Sequence, residues 1–164
     1  FNNFFKDLMF EISKNFSIKV IQQTQEENID NLKNFYDANK IENIVFNFEE
    51  NFSDLISISD LCITRAGANS LAEISFLNKP FIAIPLPTSA DDHQMINAKY
   101  YEKNGCCWVI DQKELNKKKL SMFIKDLLKD KKDLISKKTS LQKLNYENTR
   151  EHNYQKLKRV INEY

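Results

Sequence analysis

Glycine is almost absent from this chain: Gly67 and Gly105 are the only two in 164 residues. Proline is nearly as scarce, at Pro80, Pro85 and Pro87. No low-complexity linker and no internal repeat is visible. Histidine occurs twice, as His93 and His152, in positions unlike metal motifs, which argues against a structural zinc site. The three cysteines, Cys62, Cys106 and Cys107, form no C-x-x-C pair. Cys106 and Cys107 run into Trp108 in a strand-like segment, and all three are expected to be reduced thiols in or near the core. No apolar run is long enough to span a bilayer, and no signal-peptide pattern is recognisable. An excess of one charge is lacking too. With 24 basic and 23 acidic side chains the net charge is +1, so no nucleic-acid footprint and no like-charged tail stands out.

What is present fits a cytoplasmic α/β domain. Hydrophobic residues make up 41% and charged residues 29%, enough apolar material for one real core. Residues 3–15 carry Phe4, Phe5, Leu8, Met9 and Ile12 on a helical stripe; residues 17–22 are strand-like; Ile29, Leu32, Phe35 and Tyr36 mark a second helix; residues 44–48 are strand-like again. Then follow helix 51–58, strand 60–64, helix 69–78, strand 80–84, helix 92–104 and strand 106–110. This alternation predicts a parallel sheet with helices on both faces. From Asn116 the chain turns helical, with Leu120, Phe123, Ile124, Leu127 and Leu128 as one stripe. A last helix carries Tyr154, Leu157, Val160 and Ile161. The expected organisation is a single domain over 1–164, with an α/β core over 1–111 and C-terminal helices over 112–164. Lys117, Lys118, Lys119, Lys129, Lys131 and Lys132 make the later helices locally basic, as a solvated face or a membrane-facing patch. The chain opens at Phe1 in an amphipathic helix, without the strand and glycine-rich turn that normally begin a Rossmann-like half, so it is expected to be a fragment.

Residues 60–98 carry the chemistry. Leu61 to Thr64 is a short apolar run that breaks at Gly67, and beyond it Leu71, Ile74 and Leu77 recur at helical spacing. Residues 66–69 are therefore a strand-to-helix turn. Its small side chains leave backbone N–H groups uncovered, and these, with the positive end of the helix dipole, can hold a phosphate. Ser70-Leu71-Ala72-Glu73 fits the capping-box pattern, in which Glu73 bonds back to the helix start. Alternatively, the Glu73 carboxylate accepts hydrogen bonds from the vicinal hydroxyls of a ribose. Arg65, in a chain that otherwise uses lysine, is either a surface ion pair or a planar fork that meets a diphosphate or organises its loop.

A second cluster follows the next strand. Pro80 to Ile84 is an apolar run closed by Pro85 and Pro87, which makes 86–90 a loop. Asp91 or Asp92 can then cap a helix reaching about Asn104, with Met95, Ala98, Tyr101 and also Ile96 as inward candidates. His93, Gln94 and Asn97 sit in its first turns, with His93 and Asn97 on one face. Alone, such a pair is a solvated helix start. In context, these side chains and the Gly67 turn lie at the carboxyl ends of consecutive strands, where open α/β sheets bind ligands.

Thr64-Arg65-Ala66-Gly67-Ala68-Asn69-Ser70-Leu71-Ala72-Glu73, followed by Pro80, Pro85-Leu86-Pro87, Asp91-Asp92-His93-Gln94, Asn97-Ala98 and Gly105, strongly resembles the C-terminal half of the MurG family. Its members are UDP-N-acetylglucosamine:N-acetylmuramyl-(pentapeptide) pyrophosphoryl-undecaprenol N-acetylglucosaminyltransferases. The resemblance implies a Rossmann-like C-terminal half of a GT-B glycosyltransferase, lacking here its first strand and phosphate loop. It implies that Glu49 offers main-chain groups to the uracil and Glu73 binds the ribose. Gly67, Ala68 and Asn69 would form the helix start at the diphosphate and sugar, with Arg65 ahead of it. His93 and Gln94 match the polar pair that grips N-acetylglucosamine hydroxyls, and Asn97 follows in the same motif. A histidine stands where the family often has glutamine.

For the whole protein, the resemblance implies inverting transfer of GlcNAc from UDP-GlcNAc to lipid I, giving lipid II for peptidoglycan, at the inner face of the bacterial cell membrane. The acceptor would bind an N-terminal domain outside this chain. No catalytic residue is assigned here, and no metal or other cofactor is implied. Other readings are a different UDP-sugar transferase or hydrolase on the same half-domain, a sugar-nucleotide-binding subunit with a membrane-anchored partner, and an interaction domain without a ligand.

Overall fold

The computed structural model describes residues 2–89 and 92–148. Its helices are α1 (Asn2–Ser13), α2 (Ile29–Ala38), α3 (Phe52–Ser57), α4 (Ala68–Phe76), α5 (His93–Lys103), α6 (Lys117–Lys129) and α7 (Lys132–Glu147). Its strands are β1 (Lys19–Gln23), β2 (Glu42–Phe46), β3 (Cys62–Thr64), β4 (Phe81–Ala83) and β5 (Cys107–Val109). The chain gathers into two units. One is Phe1–Leu55 with Leu115–Lys131, and the other is Ile56–Glu114 with the chain from Lys132 onward.

In the first unit β1 and β2 pair in parallel, from Lys19 opposite Glu42 to Gln23 opposite Phe46. The connecting helix α2 buries Leu32 and Tyr36 against Val20, Ile41 and Val45, with Met9, Ile18 and Phe35 packed around them. Tyr36 is wholly buried, so its hydroxyl needs a partner, and it donates to Gln22 Oε1 at 2.6 Å. Burial pushes the Tyr36 pKa up to about 12. Pairing with β1 ends at Phe46, so β2 lies two residues earlier than periodicity suggested and Phe48 is left 76% exposed. A cavity of about 460 Å³ lies at the amino-terminal ends of these strands, lined in part by Ser17, Ile18, Lys40, Ile41 and Glu42. Helix α6 has the expected stripe, with Leu120, Ile124 and Leu127 buried.

The second unit is a three-stranded parallel sheet ordered β3-β4-β5. As the central strand, β4 is covered throughout: Phe81, Ile82 and Ala83, with Ile84 after them, have no exposed surface. Helix α4 connects β3 to β4 and buries Leu71 and Ile74. Helix α5 connects β4 to β5, burying Ala98 and stacking the Tyr101 ring edge-on against Phe81 at 5.5 Å. Ile96 differs from its expected inward position, being 63% exposed on the opposite side of α5. Cys106 and Cys107 are buried and free, and Cys62 is half-buried and free. Burial raises their pKa values to about 11, 12 and 11 respectively, so they remain protonated thiols at neutral pH.

Helix α7 has no counterpart in the periodicity reading, because much of its packing face is polar. Leu134, Leu141 and Leu144 are buried. Between them, Lys137 lays its ammonium 5.2 Å from the Trp108 ring centre. Asn145 Nδ2 donates to Ser75 O at 2.7 Å and to Asn78 Oδ1 at 2.8 Å, joining α7 to the end of α4. The expected helix around residues 154–161 lies outside the described residues. Among those residues no helix is long and apolar enough to cross a membrane.

The shortage of glycine shows at the helix ends. Helices α2, α4 and α5 each finish in a Schellman motif, which turns one residue into the left-handed region. Gly105 takes that place after α5, at φ +72°, with its N–H on Glu102 O and Cys106 N–H on Tyr101 O, both 2.9 Å. The same pair of bonds recurs after α4 around Asn78 (φ 54°) and after α2 around Lys40 (φ 57°). Lysine has no local compensation for this backbone. Lys40→Gly should therefore raise unfolding stability by about 1 kcal/mol, while Gly105→Ala should lower it by about 1–2 kcal/mol. Denaturant unfolding checks both, and a destabilised Lys40→Gly would contradict the strain.

Candidate functional site

Strands β3 and β4 run in register, Cys62 opposite Phe81 and Thr64 opposite Ala83, so their carboxyl ends are level. Ile84 N–H extends the ladder to Thr64 O at 2.8 Å. Beyond that point β3 turns through 65–67 into α4, and β4 leads through 85–89 toward α5. The side chains of α5 tie the two turns together.

Gln94 carries most of this connection. Its Oε1 accepts from Ala66 N at 3.1 Å and from Leu86 N at 3.0 Å. Both partners are N–H groups, so the amide can sit only one way round, with the oxygen toward the loops and the NH₂ away from them. One turn later, Asn97 Nδ2 donates to Ala66 O at 3.1 Å. Ala66 is wholly buried, and both its backbone polar groups are thus satisfied by α5. Gln94, read in the sequence as a sugar-gripping side chain, is first of all a clamp on the backbone.

Arg65 reaches away from its own turn. Its Nη1 donates to Ile84 O at 3.2 Å and to Gln112 Oε1 at 2.6 Å. The desolvation that accompanies this position lowers its pKa from the ordinary arginine value. Gln112 carried no sequence signal: it is a lone glutamine, 47 positions away from its partner.

Gly67 occupies the N-cap of α4 at φ −64° and ψ 138°, a conformation open to any residue. A Cβ built there would meet only Ser70 Oγ, at 3.9 Å. Neither backbone strain nor crowding by the described residues requires a glycine at this position. The first intrahelical bond runs from Leu71 N to Gly67 O at 3.0 Å, and no side chain among the described residues caps the helix. The amides of the first turn, Ala68 and Asn69 among them, are the groups an anion would meet.

This start also removes one of the two readings of Glu73. The helix begins at Ala68, which puts Ser70 at its third position instead of the N-cap, so the capping box does not form. The Glu73 carboxylate is half-buried and makes no hydrogen bond or ion pair among the described residues. His93 is the first residue of α5 and is exposed. Asp92 holds the N-cap position but does not cap, because its backbone is left-handed (φ 54°) instead of extended. Asp91 lies outside the described residues. In the same loop, Ser89 Oγ is the one buried side-chain polar atom without a partner among the described residues. Glu49 belongs to the first unit, after β2, where its Oε1 accepts from Asn51 N at 3.1 Å.

Parallel strands joined by helices give the chain the Rossmann-like fold of the C-terminal half of a GT-B protein. The chain belongs to the glycosyltransferase family 28 C-terminal domain family, whose model it matches over residues 1–156. It is 39% identical over 99% of its length to the UDP-N-acetylglucosamine--N-acetylmuramyl-(pentapeptide) pyrophosphoryl-undecaprenol N-acetylglucosamine transferase of Pelagibacter ubique, covering 46% of that protein. The protein of the same name from a Wolbachia of Brugia malayi is 31% identical over 89% of this chain and 44% of its own length. The chain thus spans about half the length of these curated relatives. Among solved structures, Acinetobacter baumannii MurG superposes with a TM-score of 0.72 over 86% of this chain and 42% of its own, at 22% identity.

The clamp is open to a direct test. Gln94→Leu leaves the buried Ala66 N–H without its acceptor and should cost about 1–3 kcal/mol of stability. Gln94→Glu keeps both acceptor contacts and should stay within about 1 kcal/mol of the parent. Equal unfolding midpoints for the leucine variant and the parent would show that Gln94 does not hold the turns.

Proposed function

We propose that the chain, acting over 1–164 as one domain, binds UDP-GlcNAc for an inverting glycosyltransferase that transfers GlcNAc to lipid I. The observation that carries this reading is the α4 start: an uncapped helix N-terminus behind a glycine that the described residues do not require. A diphosphate can approach Gly67 closely and receive the amides of Ala68 and Asn69. Those amides and the helix dipole would also stabilise the charge that develops on UDP as the glycosidic bond breaks. Glu73, with no partner among the described residues, would accept from the ribose hydroxyls. Gln94, with its oxygen committed to the backbone, would present its NH₂ to a sugar oxygen, with His93 beside it. Glu49 would offer main-chain groups to the uracil, while Arg65 and Asn97 hold the turn in shape.

The names of the relatives support this choice of sugar nucleotide and acceptor. An undecaprenol carrier is anchored in lipid, so transfer to it would take place at the inner face of the cell membrane. The acceptor and the catalytic base would belong to an N-terminal domain. His93 is not assigned as the base, since no geometry relates it to a reacting proton.

Calorimetric titration of the 164-residue chain with UDP-GlcNAc, UDP and ADP tests the reading. UDP-GlcNAc and UDP should bind and ADP should not. Glu73→Ala should weaken both uridine ligands by about 1.5–3 kcal/mol, the worth of hydrogen bonds to a charged group. Unchanged affinity in that variant would remove Glu73 from the site.

A further inference from the structure

We propose that Gln112 is a positioning residue for the nucleotide site, acting through Arg65. This inference rests on the reading of the site as a UDP-sugar site and extends it to a residue that reading does not use.

Arg65 follows β3, its guanidinium reaches Ile84 O at the end of β4, and Gln112 Oε1 lies just beyond β5. One side chain therefore ties together the carboxyl ends of all three strands. At 2.6 Å against 3.2 Å, the bond to Gln112 is the shorter of the two. The residue after Arg65 is Ala66, whose N–H and C=O are held by Gln94 and Asn97, and the next is Gly67, the N-cap of α4. Where Arg65 is anchored thus sets where the amides of Ala68 and Asn69 point. A phosphate bound by backbone amides is sensitive to such placement, because those groups have no rotamers with which to adjust. Gln112 does not itself touch the ligand. It holds the guanidinium from the β5 side, opposite the tie to Ile84 O at the end of β4.

Two expectations separate this role from sugar recognition and from general support of the fold. Loss of Gln112 should weaken UDP and UDP-GlcNAc equally, because the phosphate cradle and not the sugar contact is disturbed. An acidic replacement should restore binding, since a carboxylate accepts from Arg65 at least as well as an amide.

The experiment is calorimetric titration of the 164-residue chain and its Gln112→Leu and Gln112→Glu variants with UDP and UDP-GlcNAc, with thermal unfolding of each. Gln112→Leu should bind both ligands on the order of tenfold more weakly, and Gln112→Glu should return to within about threefold of the parent. Parental affinity in the leucine variant, or no recovery in the glutamate variant, would overturn the role. If Gln112→Leu does not fold, Gln112→Asn, whose acceptor is one methylene short, should show the same equal loss, and full affinity there would overturn it. Failure of the parent chain to bind either uridine ligand would reject the site reading and this inference together, whereas a binding parent with indifferent variants would reject the inference alone.

Discussion

One amide oxygen holds the candidate site together. Gln94 Oε1 takes the N–H of Ala66 at the end of β3 and that of Leu86 at the end of β4, and so keeps level two turns that belong to different strands. Parallel strands bring these ends side by side, but the backbone ladder stops at Ile84 N–H and Thr64 O. Past that point the peptide groups need other partners, and at Ala66 and Leu86 side chains of α5 supply them. Asn97 and Arg65 complete the connection. The helix start at Ala68, the orientation of the Gln94 NH₂ and the position of Glu73 all depend on this arrangement.

A chain with so little glycine places each one where something depends on it. Gly105 is in the left-handed region that side chains resist, and its role is local geometry. Gly67 is not, and nothing among the described residues crowds the space its missing Cβ leaves. The backbone explains Gly105, whereas neither backbone conformation nor the described neighbours explain Gly67. Where a left-handed turn is needed elsewhere, the chain uses Asn78, whose side chain finds a partner in Asn145, and Lys40, which accepts the strain.

Much of the fold was legible because its elements alternate in period. The apolar runs before Gly67 and between Pro80 and Pro85 became β3 and β4, and the stripes after them became α4 and α5. Element ends were less legible. Strand β2 is cut off by the length of its partner β1, which the residues 44–48 alone do not reveal, and α4 starts before Ser70 because Gly67 can serve as its N-cap. Helix α7 was hidden because it packs through Lys137 and Asn145 as well as leucines. The positions gathered at the strand ends were readable as a motif, yet their division of labour was not. That Gln94 and Asn97 bind backbone, and that Arg65 reaches Gln112, depends on contacts 28, 31 and 47 residues apart, for which local spacing carries no signal.

The central claim is that the strand-end turns form a uridine-diphosphate-sugar site. Backbone amide shifts recorded by NMR during titration of the chain with UDP-GlcNAc test it most directly, because they show where the ligand sits as well as whether it binds. The account predicts shifts concentrated from Gly67 to Glu73 and from His93 to Asn97, with a further set at Glu49. Shifts gathered instead around Ser17, Ile18 and Ile41, at the cavity on the opposite strand ends of the first unit, would contradict it, as would no shift at all at saturating ligand.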